Sequence, residues 1–296
     1  MLGLFATLVG VFLVAMATLM YQVLLTRIFS VSMWYHFGFI AISVTMFGMT
    51  VGALVVYLVP RWFTNDLVPR RLAESAAVFA LAVVASFLAH LSIPFITKPS
   101  FVFVFAIGLT YAILAVPFTA SGICLTLALT RMAAGLGTIY AADLIGAGLG
   151  CLTVVGLLEY VDGPSAVLVV GAVAALGAVA FSMAAERRWL RLSAAVVLLF
   201  SAWSAANVEL VSAGHPMALR LVWVKGRMEA PPLWERWNSF SRVAVWPWTD
   251  QAFGWGLSDK WPSDRRVEQL LLNIDASAAT VLTKYTGRTS EIAPWS

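Results

Sequence analysis

The residue of this sequence with the strongest claim to a chemical role is a single carboxylate in an apolar segment. Asp143 lies in YAADLIGAGLG (140–150) and is the only charged residue between Gly137 and Leu158. An acid inside a membrane is costly unless it is paired or hydrated, so such residues usually serve function or assembly. Asp143, Arg131 and Tyr140 form a candidate intramembrane polar site. Asp143 is either a structural group neutralised from the adjoining loop or a contact for a ligand.

A second candidate is an interfacial pair, Arg27 with Glu159. Both residues fall at the ends of their predicted helices on the outer side of the membrane, under the orientation given below. They could form an ion pair or extend separately into the headgroup region. The two cysteines, Cys124 and Cys151, lie in apolar segments without partners at metal-ligand spacing, which is typical of small core residues. No Ser/His/Asp arrangement, HExxH motif or phosphate-binding loop is evident, so we predict no catalytic, cofactor-binding or metal-binding residue.

Composition assigns the chain to the membrane. Of its 296 residues, 61% are hydrophobic and 11% are charged, and the mean hydropathy is +0.88. Soluble domains carry roughly 25% charged residues. There is no basic–aromatic patch typical of nucleic-acid binding, and the N-terminus lacks the features of a cleaved signal peptide. The partner that composition predicts is the lipid bilayer.

Seven segments are apolar and long enough, or nearly so, to span a bilayer as helices of roughly 20 residues. Pro117 lies inside the fourth and predicts a kink. The seventh is the weakest, because Arg191 leaves only a short apolar run behind it. The predicted segments are 3–29, 33–59, 75–96, 101–130, 137–159, 164–185 and 189–207.

The distribution of Lys and Arg predicts the orientation, because cytoplasmic loops are enriched in these residues. One set of loops holds seven arginines and the opposite set holds only Arg27 and Lys98. This places the N-terminus in the cytoplasm. The region after 208 lies outside if the seventh segment crosses, and in the cytoplasm if that segment lies at the interface. The seven arginines are Arg61, Arg70, Arg71, Arg131, Arg187, Arg188 and Arg191.

Small residues recur every fourth position in two of the segments. Gly48 and Gly52 form a GxxxG pair, and Gly146 and Gly150 continue such a row from Ala142. Faces of this kind let helix backbones approach closely in lipid. We predict helix–helix contact within one bundle, with a homodimer seam or a substrate path as the alternatives.

The charge density rises sharply near residue 208, which predicts two domains, a transmembrane helical domain at 1–207 and a small β-rich soluble domain at 208–296. Short β-branched or aromatic runs bounded by turn residues predict an antiparallel sheet there. Eight of the twelve tryptophans lie in this region, either filling its core or resting at headgroup level. The predicted strands are LRLVWVKG (219–226), SRVAVWP (241–247), EQLLLNID (268–275) and ATVLTKY (279–285).

Several stretches together resemble the bacterial membrane-embedded spermidine synthase-like proteins. The segment at 24–53 resembles the first two spans of that family, and PFTASGICLTLALTR (117–131) with GTIYAADLIGAGLGCL (137–152) resembles its central pair. LWERWNSFSRVAVW (233–246) and LLNIDASAATVLTKYTG (271–287) resemble the opening strands of its aminopropyltransferase-like domain. The resemblance implies a bacterial inner membrane location, and decarboxylated S-adenosylmethionine as the co-substrate of the family.

The sequence departs from the family where catalysis would require agreement. In NIDASA, Ala276 stands where the family has glycine, and the glycine-rich loop with its acidic residues is not found in this sequence. We therefore expect a polytopic bundle of about seven helices followed by an incomplete antiparallel β-rich domain, with no cofactor bound by these residues.

Three functions stay open at this point. The chain could be the membrane anchor of a spermidine synthase-like system, with a transferase-like module or a homo-oligomer as partner. It could be a transporter or channel subunit in which Asp143 pairs with a cationic substrate such as a polyamine. It could also be a complete membrane enzyme without a cofactor.

Overall fold

The computed structural model describes residues 2–132, 135–183, 185–248, 252–254, 257 and 267–284. In these ranges seven α-helices are long and apolar enough to cross a membrane, with mean hydropathy between 1.6 and 2.3 in their most apolar windows. The predicted fold class is confirmed. The helices are α1 (Leu2–Ser32), α2 (Gly38–Leu58), α3 (Val68–Leu91), α4 (Phe101–Arg131), α5 (Leu136–Leu157), α6 (Gly163–Ser182) and α7 (Arg187–Ser212).

Several helix boundaries differ from the predicted ones, most of all the start of α3. α3 begins at Val68 rather than 75, because Glu74 pairs along the helix with Arg70 at 2.7 Å and with Arg71 at 2.6 Å. Such pairs support a helical turn that hydropathy alone rejects. α7 begins in its arginines and continues to Ser212 rather than ending at 207. Pro117 lies inside α4 without ending it.

Four helices form the inner bundle, in the order α1, α6, α3 and α4 around a ring, and the other three lie outside it. α2 packs mainly on α4, α5 on α1, and α7 on α6. The core is apolar, with large fully buried side chains such as Tyr21, Phe79 and Phe118. Cys124 is buried there and Cys151 is partly exposed, and both are free thiols.

The four glycines of the predicted packing faces lie at close helix–helix contacts within this bundle. A Cβ on Gly48 would lie 2.6 Å from Cβ of Phe118 in α4, and one on Gly52 would overlap the carbonyl oxygen of Thr119. On α5, added Cβ atoms at Gly146 and Gly150 would overlap the carbonyl oxygens of Phe12 and Met16 in α1. These glycines therefore set two backbone-to-backbone seams, α2 with α4 and α5 with α1.

Beyond α7 the structure describes two antiparallel sheets. β1 (Trp223–Val224) and β2 (Arg227–Met228) form a hairpin, and the larger sheet has the order β3-β4-β5-β6. Of the predicted strands, only the first is much shorter than expected, since 219–222 are not strand. The four strands of the larger sheet are β3 (Trp234–Trp237), β4 (Arg242–Trp248), β5 (Gln269–Ile274) and β6 (Ala278–Thr283).

The tryptophans do not fill the sheet core as one group. Trp237 is buried, with 3% of its surface exposed, whereas Trp234 is 50% exposed. Trp223, Trp246 and Trp248 are partly buried, while residues 255, 261 and 295 lie outside the described residues. Trp237 packs on the N-terminus of α6, so its burial comes from the junction with the helices.

The β-rich region lies at the end of the bundle where α1, α3, α5 and α7 finish. The backbone N–H of Lys225 donates to the carbonyl of Ser32, and that of Ser239 donates to the Glu159 carboxylate. At the other end of the bundle, Arg70 in the first turn of α3 lies 3.6 Å from Glu186, the residue that precedes α7. α7 thus runs the full length of the bundle, and the seven arginines of the predicted cytoplasmic loops lie at the end away from the sheets.

Candidate functional site: the junction between bundle and sheets

The tip of the β1–β2 hairpin is inserted between two loops of the helical bundle. Lys225 and Gly226 form the turn with φ of 48° and 81°, a left-handed pair typical of two-residue hairpins. The Lys225 N–H bonds to Ser32 O at 2.7 Å, and a Cβ on Gly226 would lie 2.7 Å from the Thr97 side chain. Glycine is needed here both for its φ and for space, so the turn fixes the hairpin on the ends of the helices.

Behind the hairpin, a buried ion cluster joins the linker after α7 to the larger sheet. We call it the Arg242 cluster; it consists of Arg220, Glu229, Glu235 and Arg242. The Arg242 guanidinium, 3% exposed, lies 2.9 Å from Glu235 and 2.6 Å from Glu229. Arg220 approaches Glu235 at 3.8 Å and also donates to the carbonyl of Val211 at the end of α7. The cluster therefore bonds the sheet to the last helix.

The electrostatics of this cluster favour its charged state. Burial alone would raise the pKa of Glu235, but the Arg242 guanidinium, the Trp237 N–H and Arg220 together outweigh burial and hold that pKa below its ordinary value. Burial alone would lower the pKa of Arg242, and Glu235 and Glu229 together raise it instead. Removing one member of such a pair is costly, because the remaining charge stays buried without compensation.

Asp275, in the turn between β5 and β6, connects the sheet to the first helix. Its Oδ1 accepts a hydrogen bond from the backbone of Arg242 at 2.7 Å, and its Oδ2 lies 3.8 Å from Nη2 of Arg27. The Lys225 ammonium donates to the Asp275 backbone carbonyl and to the Ser277 hydroxyl. One turn thus holds both the hairpin and the end of α1.

Arg27 and Glu159, the candidate interfacial pair, bond to other residues and not to each other. Arg27 contacts Asp275, and the Glu159 carboxylate accepts the N–H of Ser239 at 3.0 Å. Both side chains therefore bond to turns of the β-rich region.

A chain of buried polar groups completes the junction at the start of α6. Asp162 caps this helix, accepting the N–H of Ser165 at 2.9 Å and its hydroxyl at 2.6 Å. Asn207, 1% exposed, donates to the Ser165 hydroxyl at 2.9 Å and accepts the Leu219 N–H at 2.6 Å. Burial raises the pKa of Asp162, and nearby Glu235 adds to this effect. The chain connects α6, α7 and the linker into the sheets.

The candidate intramembrane site is not assembled by direct contacts. Asp143 is half-buried and has no hydrogen bond or ion pair with any residue that the structure describes. Arg131 and Tyr140 are exposed on the bundle surface, Tyr140 by 53%. Asp143 lies on α5 one turn before Gly146, so it borders the seam with α1.

The junction was missed from the sequence. Its acids are spread along the chain, and they come together only through strand register and through the docking of the turn at Asp275 on α1. One available signal was the charge of Arg242 inside the strand-like run SRVAVWP, since a charge that faces inward on a strand requires a partner.

Within the described residues no group of three or more His, Cys, Asp or Glu side chains is placed to hold a metal ion. No protein-family model, curated protein or solved structure matches this chain. The resemblance to spermidine synthase-like proteins therefore stays a prediction.

Proposed function

We propose that this chain is the membrane anchor and scaffold of a spermidine synthase-like system. Its helical bundle holds a β-rich platform at one membrane surface, where a transferase-like module docks. The observation that carries the proposal is the junction, in which Arg27, Glu159 and Arg220 connect the bundle and its linker to the sheets. A platform bonded at several separate points keeps a fixed orientation to the membrane.

The packing of the bundle also supports a scaffold. Backbones meet without intervening side chains at the α2–α4 and α5–α1 seams, and buried hydroxyls such as those of Thr18 and Tyr21 bond to other hydroxyls or to backbone carbonyls. Among the described spans, the other acid a similar number of residues from the arginine-rich end is Glu74 in α3, and it is already paired with Arg70 and Arg71. Transport sites built on an intramembrane charge usually assemble further polar groups around it.

The charge distribution supports a membrane orientation for this scaffold. The arginine-rich end would be cytoplasmic and the sheets would lie on the opposite side of a bacterial inner membrane. Sulfonium donors such as decarboxylated S-adenosylmethionine are made in the cytoplasm. The module on the platform would then perform chemistry unlike that of the soluble relatives, or use a donor supplied outside.

The orientation is tested with single cysteines in a chain carrying Cys124→Ala and Cys151→Ala. Met183→Cys marks the arginine-rich end and Phe240→Cys marks the sheets, since both side chains are exposed. A membrane-impermeant maleimide applied to intact cells should label Phe240→Cys alone. Labelling of Met183→Cys alone would reverse the orientation.

The scaffold function is tested by measuring methylthioadenosine release from putrescine and decarboxylated S-adenosylmethionine. We expect none from the purified chain in nanodiscs, and we expect a transferase-like module from the same genome to bind these nanodiscs but not empty ones. Release by the chain alone would make it a complete enzyme. Failure of every such module to bind would remove the scaffold function.

One observation favours a second candidate, a transporter of small cations. Asp143 is half-buried in a span without a partner among the described residues, which leaves its carboxylate available to a cationic substrate. The test is uptake of radiolabelled putrescine or spermidine into proteoliposomes, with Asp143→Asn beside the unchanged chain. Uptake that Asp143→Asn abolishes would establish transport, whereas no uptake by either protein would exclude it for these substrates.

A further inference from the structure

A polar cleft of about 580 Å³ opens between the hairpin, the turn of the larger sheet and the loops that follow α1 and α3. It is lined by Trp34, Thr97, Lys225, Arg227, Glu229 and Asn273, among others. Its place at the end of the spans puts it where lipid headgroups meet the protein. The size is that of a small-molecule site.

The two cations that line this cleft, Lys225 and Arg227, make no ion pair with a described carboxylate, and the Lys225 ammonium donates to the Asp275 carbonyl and the Ser277 hydroxyl. Glu229 lies 2.6 Å from Arg242, and this ion pair compensates the negative charge of its carboxylate. Arg227 is exposed and makes no ion pair or hydrogen bond with a residue that the structure describes. Lys225 lies 5.3 Å from the centre of the Trp34 ring. An anion is therefore favoured over a polyamine.

The cleft also holds an acceptor without a donor. Oδ1 of Asn273 is buried and has no hydrogen-bond partner, and such a group is costly unless something supplies a proton to it. A ligand that suits both features carries an anionic group for the two cations and an N–H or O–H for the amide oxygen.

The rim of the cleft faces the lipid. Trp34 is 39% exposed, and next to it Tyr35 and Phe39 are 82% and 74% exposed, at the turn between α1 and α2. Exposed aromatic rings at the end of a span are typical of the headgroup level. A molecule could enter the cleft from the membrane without crossing the sheets.

We propose that this cleft binds a phosphate ester that carries a hydrogen-bond donor, the chemistry of an ethanolamine or glycerol phospholipid headgroup. Arg227 and Lys225 contact the phosphate, and the Asn273 amide oxygen accepts from the amine or hydroxyl of the ester. Arg–phosphate pairs are charge-assisted and geometrically specific, so Arg227 contributes most to the affinity.

The experiment uses the purified full chain, delipidated in detergent and studied by native mass spectrometry. One arm titrates phosphatidylethanolamine or phosphatidylglycerol in mixed micelles, and the other titrates phosphoethanolamine or glycerol 3-phosphate in buffer. Arg227→Gln is the test variant, because its side chain is exposed and holds nothing else among the described residues. Lys98→Gln is the matched control, since Lys98 is exposed on the neighbouring loop outside the cleft.

We expect one bound molecule per chain, with affinity about tenfold weaker in Arg227→Gln and unchanged in Lys98→Gln. Binding only in the lipid arm identifies a membrane lipid as the ligand, and binding in the soluble arm identifies a free ester. No binding in either arm, or equal loss in both variants, would overturn the proposal. Neither result depends on whether a transferase-like module binds the platform.

Discussion

Replacing Arg242 with methionine is expected to open the β-rich region, because it leaves two carboxylates without their cation. The guanidinium is 3% exposed, and its partners Glu235 and Glu229 are 7% and 16% exposed. Removing one side of a buried ion pair costs roughly 3–5 kcal/mol, mostly from the charge that stays behind. Arg220, 3.8 Å from Glu235, compensates in part, so we expect about 3 kcal/mol, the lower end of that range.

The measurement is hydrogen exchange by mass spectrometry on the chain in nanodiscs, following the amides of β3 and β4. A loss of about 3 kcal/mol in local opening free energy corresponds to roughly a hundredfold faster exchange there. Amides in α3 and α6 should change little, because the bundle core does not depend on this cluster.

Arg236→Met is the matched control, since Arg236 lies in the same sheet but is exposed and makes no ion pair with a described residue. We expect it to change stability by at most about 0.5 kcal/mol. Adding Glu229→Gln to Arg242→Met should restore part of the loss, because residue 229 then carries no charge and Glu235 still faces Arg220 at 3.8 Å. Equal exchange in Arg242→Met and Arg236→Met would refute the reasoning.

Three further predictions concern the seams, the pH response and the polar chain. Gly150→Leu should force α5 away from α1 and destabilise the bundle by about 1–3 kcal/mol, as measured by thermal unfolding. Gly148→Leu should not, because a Cβ at position 148 has open space around it. The pKa of Glu235 is held below its ordinary 4.5, so the stabilisation that its carboxylate provides is present above pH 4.5 and is lost as the pH falls below that value. The midpoint temperature of unfolding should therefore decrease below pH 4.5, and it should decrease less in Glu235→Gln. Asn207→Leu leaves the Leu219 N–H without its acceptor, so the free energy of unfolding should fall by about 1–3 kcal/mol. Ser212→Ala, at an exposed position, is the control, and equal stability of the two variants would contradict the role given to Asn207.

The helices could be predicted because hydropathy reports directly on the length of an apolar span. Hydropathy misplaces the start of α3, because it assigns Arg70, Arg71 and Glu74 to a loop although these residues pair along the helix. It identified Gly48, Gly52, Gly146 and Gly150 as contact points, but it could not name α4 and α1 as the helices they meet.

The junction could not be predicted in the same way, because its partners are far apart in the sequence. The Arg242–Glu235 contact depends on the β3–β4 register, which pairs Trp237 with Arg242. The Arg27–Asp275 contact depends on where the β5–β6 turn rests on the bundle. A list of charges shows near balance in this region and says nothing about which acid meets which base.

The contact between Arg27 and Asp275 joins one of the first elements made by the ribosome to one of the last described strands. Because Asp275 is synthesised after all seven helices, the guanidinium in α1 cannot reach this carboxylate until the β5–β6 turn has been made. The end of the first helix therefore gains its final contacts only after the larger sheet has been synthesised.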